Sequence, residues 1–212
     1  RAFHPLYRIE DVKPVMEKFK AMPYNNKFYI DGLDGKVAVT FIDAGHILGS
    51  AQIILDIEEK GKKLRFGFTG DLGRPNLPIL RDPVHMGNVD YIISESTYGG
   101  RIHDKSEQMT LQLAKVINDA YQDCGKIIIP AFSVGRTTNA IPKIPIFVDS
   151  PLAVDATEVF KLHPDCFDKE TSELIASGND VFGFGNVNYI RSVEASKRLN
   201  NFNECCVIIS AS

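Results

Sequence analysis

The sequence predicts an α/β fold in two parts, a β-rich first part over residues 1–100 and an α/β second part built on a parallel sheet over residues 101–212. Two patterns and one bulk property point there. Up to Ile93, short apolar runs are separated by polar or glycine-bearing turns, which reads as a meander of strands. Beyond Arg101, apolar strands alternate with helical stretches, the pattern of a parallel sheet flanked by helices. With 212 residues, 44% of them hydrophobic and 24% charged, the chain can bury one good core or two modest ones.

Each element has a local reason. Val12, Val15, Met16 and Phe19 recur at helical spacing, so a short amphipathic helix is expected before Pro23 and the Asn25-Asn26 turn. Lys36 to Ile42 alternates, with Val37, Val39 and Phe41 on one face. Ile53 to Ile57 is a second strand, and Lys60-Gly61-Lys62-Lys63 turns the chain into a third at Leu64 to Thr69. Lysines at a hairpin tip protect a sheet edge more readily than they form a polyanion site. Tyr91-Ile92-Ile93 is a further short strand. Asp104 with Glu107 suits a capping box, and Met109, Leu113, Val116, Ile117 and Ala120 make an apolar stripe closed by Gly125, which predicts a helix. Strands are expected at Lys126 to Pro130, Ile144 to Asp149 and Cys205 to Ile209, with helices near Ala153 to Leu162 and Val193 to Leu199.

Composition excludes several classes. No apolar run approaches the roughly 18 to 20 residues that span a bilayer, and Arg1-Ala2-Phe3-His4-Pro5 has no signal-peptide layout, so a cytoplasmic protein without membrane contact is expected. A net charge of −3 argues against nucleic-acid binding by overall charge, so any polyanion must be held by a local site. Four cysteines do not make a disulfide framework, and all four are read as inert thiols.

Three strand ends carry the residues suited to chemistry. Asp43-Ala44-Gly45-His46-Ile47-Leu48-Gly49-Ser50-Ala51 places a histidine between glycines after an apolar strand. Gly70-Asp71-Leu72-Gly73-Arg74 ends the next but one, and Ser94-Glu95-Ser96-Thr97-Tyr98-Gly99 ends a third. Imidazole nitrogen and carboxylate oxygen are zinc donors, and a two-metal hydrolytic site needs a bridging carboxylate, so His46 and Asp71 are the right residue types. Each also has a plainer reading: a strand-end histidine is often structural, and Asp71 could simply hold its own turn. Glu95 either caps the turn at Ser96-Thr97 or orients a catalytic histidine. His4, His85, His103 and His163 sit in loop contexts without pairing, as structural or surface residues. Phe132-Ser133-Val134-Gly135-Arg136-Thr137 follows a strand and opens toward a helix, where backbone N–H groups and Arg136 could meet a phosphate. Asp149-Ser150-Pro151 ends the next strand in the same way.

At these residues the chain resembles the β-CASP group of the metallo-β-lactamase superfamily, RNA-processing nucleases that include the endonuclease of messenger-RNA 3′-end formation. The resemblance runs from Pro5 to Ser212 and rests on Ala44 to Ser50, Thr69 to Arg74, Glu95 to Gly99, Pro130 to Arg136 and Asp149 to Ala153, in that order. It implies a metallo-β-lactamase-like αββα domain, represented by residues 1–100, with an inserted α/β β-CASP domain, represented by residues 101–212, both partial, and an active site in the cleft between them. His46 would then be a zinc ligand, Asp71 the carboxylate bridging two zinc ions and a catalytic residue, and Glu95 the catalytic partner of a general-acid histidine. Ser133, Arg136 and Ser150 would line the substrate. The implied function is zinc-dependent hydrolysis of RNA phosphodiester bonds in RNA processing or decay, with RNA as partner and self-association into a homo-oligomer left open.

Three departures qualify that expectation. The family's upstream His-x-His-x-Asp-His signature has no counterpart before Pro5. Members of the family continue past a Ser-Ala-Ser phrase such as Ser210-Ala211-Ser212 to histidines serving as general acid and last ligand. After Arg136, Ile141-Pro142-Lys143-Ile144-Pro145 arrives where a full helix is expected. Stretches are therefore expected to be missing, and these 212 residues alone to be inactive, since two ligands cannot hold two zinc ions. The alternatives are a catalytically inactive β-CASP scaffold that binds RNA or a partner subunit, and a small-molecule hydrolase, for which an inserted domain has no evident use.

Overall fold

The computed structural model describes residues 5–102, 106–130, 144–182 and 186–210. A 3-10 turn, Ile9–Asp11, runs into helix α1, Val12–Met16. The amphipathic helix expected here is only five residues long, Phe19 lies beyond it, and Val12, Val15 and Met16 are more than half exposed. So short a helix does not hold itself without packing.

The first sheet contains β1 (Lys27–Tyr29), β2 (Val37–Asp43), β3 (Ala51–Glu59), β4 (Lys62–Phe68) and β5 (Tyr91–Ile93), in that spatial order. β2 to β4 pair antiparallel as the expected meander, β1, which was not anticipated, pairs antiparallel with β2, and β5 joins β4 in parallel. Lys60 and Gly61 take φ of +50° and +74°, the two left-handed residues that a type I′ hairpin needs. Lys62 and Lys63, expected in the turn, instead open β4 opposite Glu59 and Glu58. Ala38, Ile42, Gln52 and Ile54 share one face and are almost wholly buried. The segment after Asp82 covers that face: the Gln52 amide donates to the Val84 carbonyl at 2.6 Å, and Met86 packs against Gly67. On the opposite face Phe68, Tyr91 and Ile93 stand exposed at the sheet edge.

The second sheet contains β6 (Lys126–Pro130), β7 (Ile146–Val148), β8 (Val187–Tyr189) and β9 (Cys206–Ser210) in the order β6-β9-β7-β8, all parallel. Its helices are α2 (Ser106–Gln122), α3 (Pro151–Leu162), α4 (Lys169–Ala176) and α5 (Val193–Leu199). The parallel sheet with helices is the architecture expected from the alternation. Ile117, Ile146, Val148, Val154, Val207 and Ile209 form its core. The stripe on α2 buries less than expected, because Leu113 and Val116 are about half exposed while Ala114 and Ile117 face inward. The capping box expected from Asp104 and Glu107 falls outside what the structure describes. At the other end the Gly125 N–H closes onto the Ala120 carbonyl at 2.8 Å, but the left-handed residue is Cys124, with φ of +53°.

Helix starts follow their caps. Ser150, Asp168 and Ser192 each accept the backbone N–H three residues on, from Ala153, Thr171 and Ala195. α4 and β8 were not anticipated: β8 is three residues long, too short to show a period, and α4 is announced only by Asp168. Cys206 is fully buried within β9 as expected, and burial pushes the Cys166, Cys205 and Cys206 thiols upward, consistent with inert thiols, whereas Cys124 is exposed.

The two sheets share a small core. The Asp168 N–H donates to the Ile79 carbonyl at 2.8 Å, Leu80 bridges Phe167, and the Arg81 guanidinium donates to the carbonyls of Asp165 and Phe167. Ile79 has φ of +84°, a costly conformation for a β-branched residue, held there by these contacts. It packs with Phe167, Val181 and Phe182, and the Phe182 ring lies 5.8 Å from Phe167 and 6.1 Å from Phe160. Phe182→Ala is therefore expected to cost about 3–5 kcal/mol, read as a lower urea midpoint at unchanged slope.

Candidate functional site

The His46 turn is built from its own sequence. The Asp43 carboxylate accepts the Gly45 N–H at 2.8 Å, and the Ser50 hydroxyl accepts the N–H groups of His46 and Ile47 at 3.1 and 3.3 Å. The Ala44 N–H donates to the Ser50 carbonyl at 3.2 Å. Gly45 and Gly49, with φ of +61° and +82°, let the chain double back so tightly. The backbone is thus satisfied locally, and His46 itself stands exposed.

The Asp71 turn lies directly against it. The Gly73 N–H donates to the Ala44 carbonyl at 2.8 Å, and a Cβ at Gly73 would sit 1.7 Å from the Gly45 oxygen and 2.8 Å from the His46 nitrogen. Only glycine permits that approach. A side chain on Gly45 would likewise meet the Pro83 nitrogen at 2.6 Å. Asp71 is exposed, as His46 is.

Glu95 ties in the third strand end. One carboxylate oxygen accepts the Leu72 N–H at 2.6 Å and the other accepts the Thr97 hydroxyl at 2.8 Å, while the Glu95 N–H donates to the Thr69 hydroxyl at 3.2 Å. The Leu72 N–H, then the Thr97 hydroxyl, hold its carboxyl below the ordinary glutamate value against a small desolvation effect, and the nearby His46 adds to the lowering. The three turns are therefore one assembly: the His46 turn on Gly73, and the Asp71 turn on Glu95.

Because the folded pKa is depressed, this clamp stabilises the folded state fully above the unfolded value near 4.5 and loses its contribution as pH falls through the lower folded value. Hydrogen exchange at the Leu72 amide should accelerate, beyond its intrinsic pH trend, as pH drops below about 4.5. Glu95→Gln should remove that dependence.

In the second part Ser133 and Arg136 lie outside the described residues. Ser150 is 5% exposed, and its hydroxyl caps α3 beside the C-terminal edge of the parallel sheet. At that edge the Ser210 hydroxyl donates to the Asp149 carbonyl at 3.2 Å, and the Asp149 carboxylate accepts from Ser196 at 2.9 Å. Among the other histidines, His85 accepts the Gly87 N–H at 3.0 Å and His163 lies 4.0 Å from Asp165, whereas His4 and His103 fall outside the described residues. Sequence reasoning did not single out Gly73, which joins the His46 and Asp71 turns, or Ser50 and Thr97, which hold the His46 and Glu95 turns. Only the tight Gly70–Gly73 spacing hinted at a close backbone approach.

Imidazole and carboxylate are donors zinc accepts, so His46 and Asp71 fit a zinc centre by type. Two donors do not complete four-coordination, and among the described residues no group of three or more histidine, cysteine, aspartate or glutamate side chains could hold an ion. They suit part of a centre. No helix among the described residues is long and apolar enough to cross a membrane.

An antiparallel meander with histidine, aspartate and glutamate turns packed at one end, together with a wholly parallel second sheet, defines a mixed α/β protein. Residues 127–212 match the Beta-Casp domain model. A ribonuclease of Thermus thermophilus is 25% identical over 218 residues, covering 98% of this chain and 49% of that protein. An RNase J-like protein of Methanocaldococcus jannaschii is 28% identical over 221 residues, covering 97% and 49%. The cleavage and polyadenylation specificity factor 73 of Drosophila melanogaster is 25% identical over 203 residues, covering 89% and 28%. Residues 127–212 thus resemble a Beta-Casp domain, and the chain as a whole is similar to proteins named as ribonucleases and as a cleavage and polyadenylation factor. The chain spans about half the length of the first two relatives and less of the third.

Proposed function

We propose that these residues belong to a zinc-dependent hydrolase that cleaves RNA phosphodiester bonds in RNA processing or decay. The observation that carries this reading is the contact between the His46 and Asp71 turns, made through Gly73 and locked by Glu95. It brings the turns that carry an imidazole and a carboxylate together at one sheet end, and a hydrolytic metal centre draws on both donor types. The names of two relatives, a ribonuclease and an RNase J-like protein, support RNA as the substrate class.

On this reading His46 and Asp71 would hold zinc together with further ligands. When bound, the metal polarises the phosphoryl group and lowers the pKa of water. The chain's own residues position the centre. Asp71 would be the carboxylate shared by the metal ions, Gly73 holds its turn against that of His46, and Glu95 holds the Asp71 turn and would orient a general-acid histidine other than His46. Ser133 and Arg136 are assigned to the RNA backbone by the resemblance alone, and Ser150 shapes the sheet edge through its cap on α3.

The test uses the full-length polypeptide that contains these residues, with a labelled single-stranded RNA. Cleavage that a chelator abolishes and zinc restores is expected. Binding without cleavage under every metal condition would instead indicate an inactive scaffold.

A further inference from the structure

Two of the four cysteines come together at one corner of the parallel sheet. β6 begins at Lys126 and β9 at Cys206, and these two residues are register partners, so Gly125 is level with Cys205 and Cys124 lies one residue further out. Neighbouring strands run about 4.8 Å apart, and a disulfide spans Cα separations of about 4.4–6.8 Å. Cysteines one step out of register at the entries to adjacent strands are therefore within bridging range.

The last turn of α2 places the same two residues independently. The Ala120 carbonyl accepts the Gly125 N–H at 2.8 Å and the Cys205 thiol at 3.9 Å, so Cys205 reaches the peptide unit that directly follows Cys124. Cys124 has φ of +53°, and its N–H donates to the Tyr121 carbonyl at 3.2 Å as the chain leaves α2. The two thiols also interact electrostatically: burial first, and Cys124 second, push the Cys205 thiol upward. Cys206 is no competitor, because alternation along the strand turns it to the opposite face, where it is wholly buried.

Access to the two sulfurs is unequal. Cys124 is exposed, whereas Cys205 is partly buried against the core around Ile117. An oxidant therefore meets Cys124 first and finds Cys205 behind it. A thiol beside the first one oxidised stops the chemistry at a reversible disulfide, where a solitary cysteine goes on to sulfinic acid.

We propose that Cys124 and Cys205 form a reversible disulfide when the protein meets hydrogen peroxide. The Cys124 thiolate attacks one peroxide oxygen and the O–O bond breaks, leaving a sulfenic acid and a hydroxide that takes up the proton Cys124 gave up. The Cys205 sulfur then attacks the Cys124 sulfur, so that the S–S bond forms, the S–O bond breaks, and the departing hydroxide takes the Cys205 proton. Two thiols lose two electrons and two protons, and the peroxide becomes two waters. The bond closes a long loop that holds β7, α3, α4, β8 and α5, so it stabilises the folded sheet by constraining the unfolded chain. The inference stands apart from the hydrolase reading and uses none of its residues.

The experiment treats the full-length protein with hydrogen peroxide at about pH 8, where thiolates are accessible, then alkylates the remaining thiols and maps the digested peptides by mass spectrometry. A Cys124–Cys205 linked peptide and a raised urea midpoint are expected, both reversed by dithiothreitol. The linkage is read in the wild type against its own reduced form, so it does not depend on any variant folding. Cys205→Ser should abolish the linked peptide and let Cys124 proceed to sulfinic acid. Cys166→Ser should leave the linkage unchanged. Recovery of both wild-type cysteines as free thiols, of Cys124 as sulfinic acid, or of Cys124 joined to any other cysteine would overturn the proposal.

Discussion

Gly73→Ala is expected to destabilise the folded chain by about 3 kcal/mol and to reduce RNA cleavage by the full-length protein about 100-fold. The reason is geometric. A methyl group at Gly73 would overlap the Gly45 carbonyl oxygen and crowd the His46 nitrogen, and both are backbone atoms that cannot rotate aside. Gly45 cannot retreat, because Pro83 and Arg81 lie behind it. The His46 turn must therefore move away from Asp71, and the 2.8 Å bond from the Gly73 N–H to Ala44 is lost. Gly87→Ala is the control: Gly87 has φ of +78° but open space where a Cβ would lie, so it should cost only about 1 kcal/mol, with cleavage unchanged. Urea unfolding and cleavage rates on the same variants check both effects.

Asp71→Asn should have a larger effect on chemistry and almost none on stability. The side chain is exposed at the end of its turn, so its removal leaves the fold intact. Asparagine keeps the shape but loses the charge a bridging carboxylate supplies. A loss of several kcal/mol of charge stabilisation corresponds to about a 1000-fold fall in cleavage rate. RNA affinity should stay within about threefold, because the substitution alters a metal-binding side chain and adds or removes no cationic phosphate contact. His46→Ala should act in the same direction. An inactive scaffold predicts the reverse pattern, with no cleavage to lose and no change from either substitution.

The order of elements was readable because hydrophobic period and turn chemistry are local. β2, β3 and β4 follow from alternation and from Lys60-Gly61, and β6, β9 and α5 fall within a residue of their expected bounds. The short helix at Val12 shows the limit. Its spacing is amphipathic, but Val12, Val15 and Met16 stay more than half exposed, so the apolar stripe buries little. α4 and β8 were missed because eight and three residues carry little periodicity.

The candidate site divides in the same way. That His46, Asp71 and Glu95 each end a strand was legible, since each closes an apolar run. That the three turns touch was not, because it depends on the absence of a side chain at Gly73 and on Glu95 reaching across to the Leu72 N–H. The register of β3 on β4 and of β4 on β5 creates those contacts, and long-range pairing leaves no mark on a local pattern. The joint around Ile79 and Phe167 was hidden for the same reason: its two halves lie far apart in the chain.

The most direct test counts zinc in the full-length protein by elemental analysis, for wild type and for Asp71→Ala, after dialysis against metal-free buffer. About two zinc ions per wild-type chain and less than one in Asp71→Ala are expected, because a carboxylate shared by two ions supports both. Equal metal content in the two proteins, or RNA cleavage that persists in Asp71→Ala, would contradict the assignment of this sheet end as a metal centre.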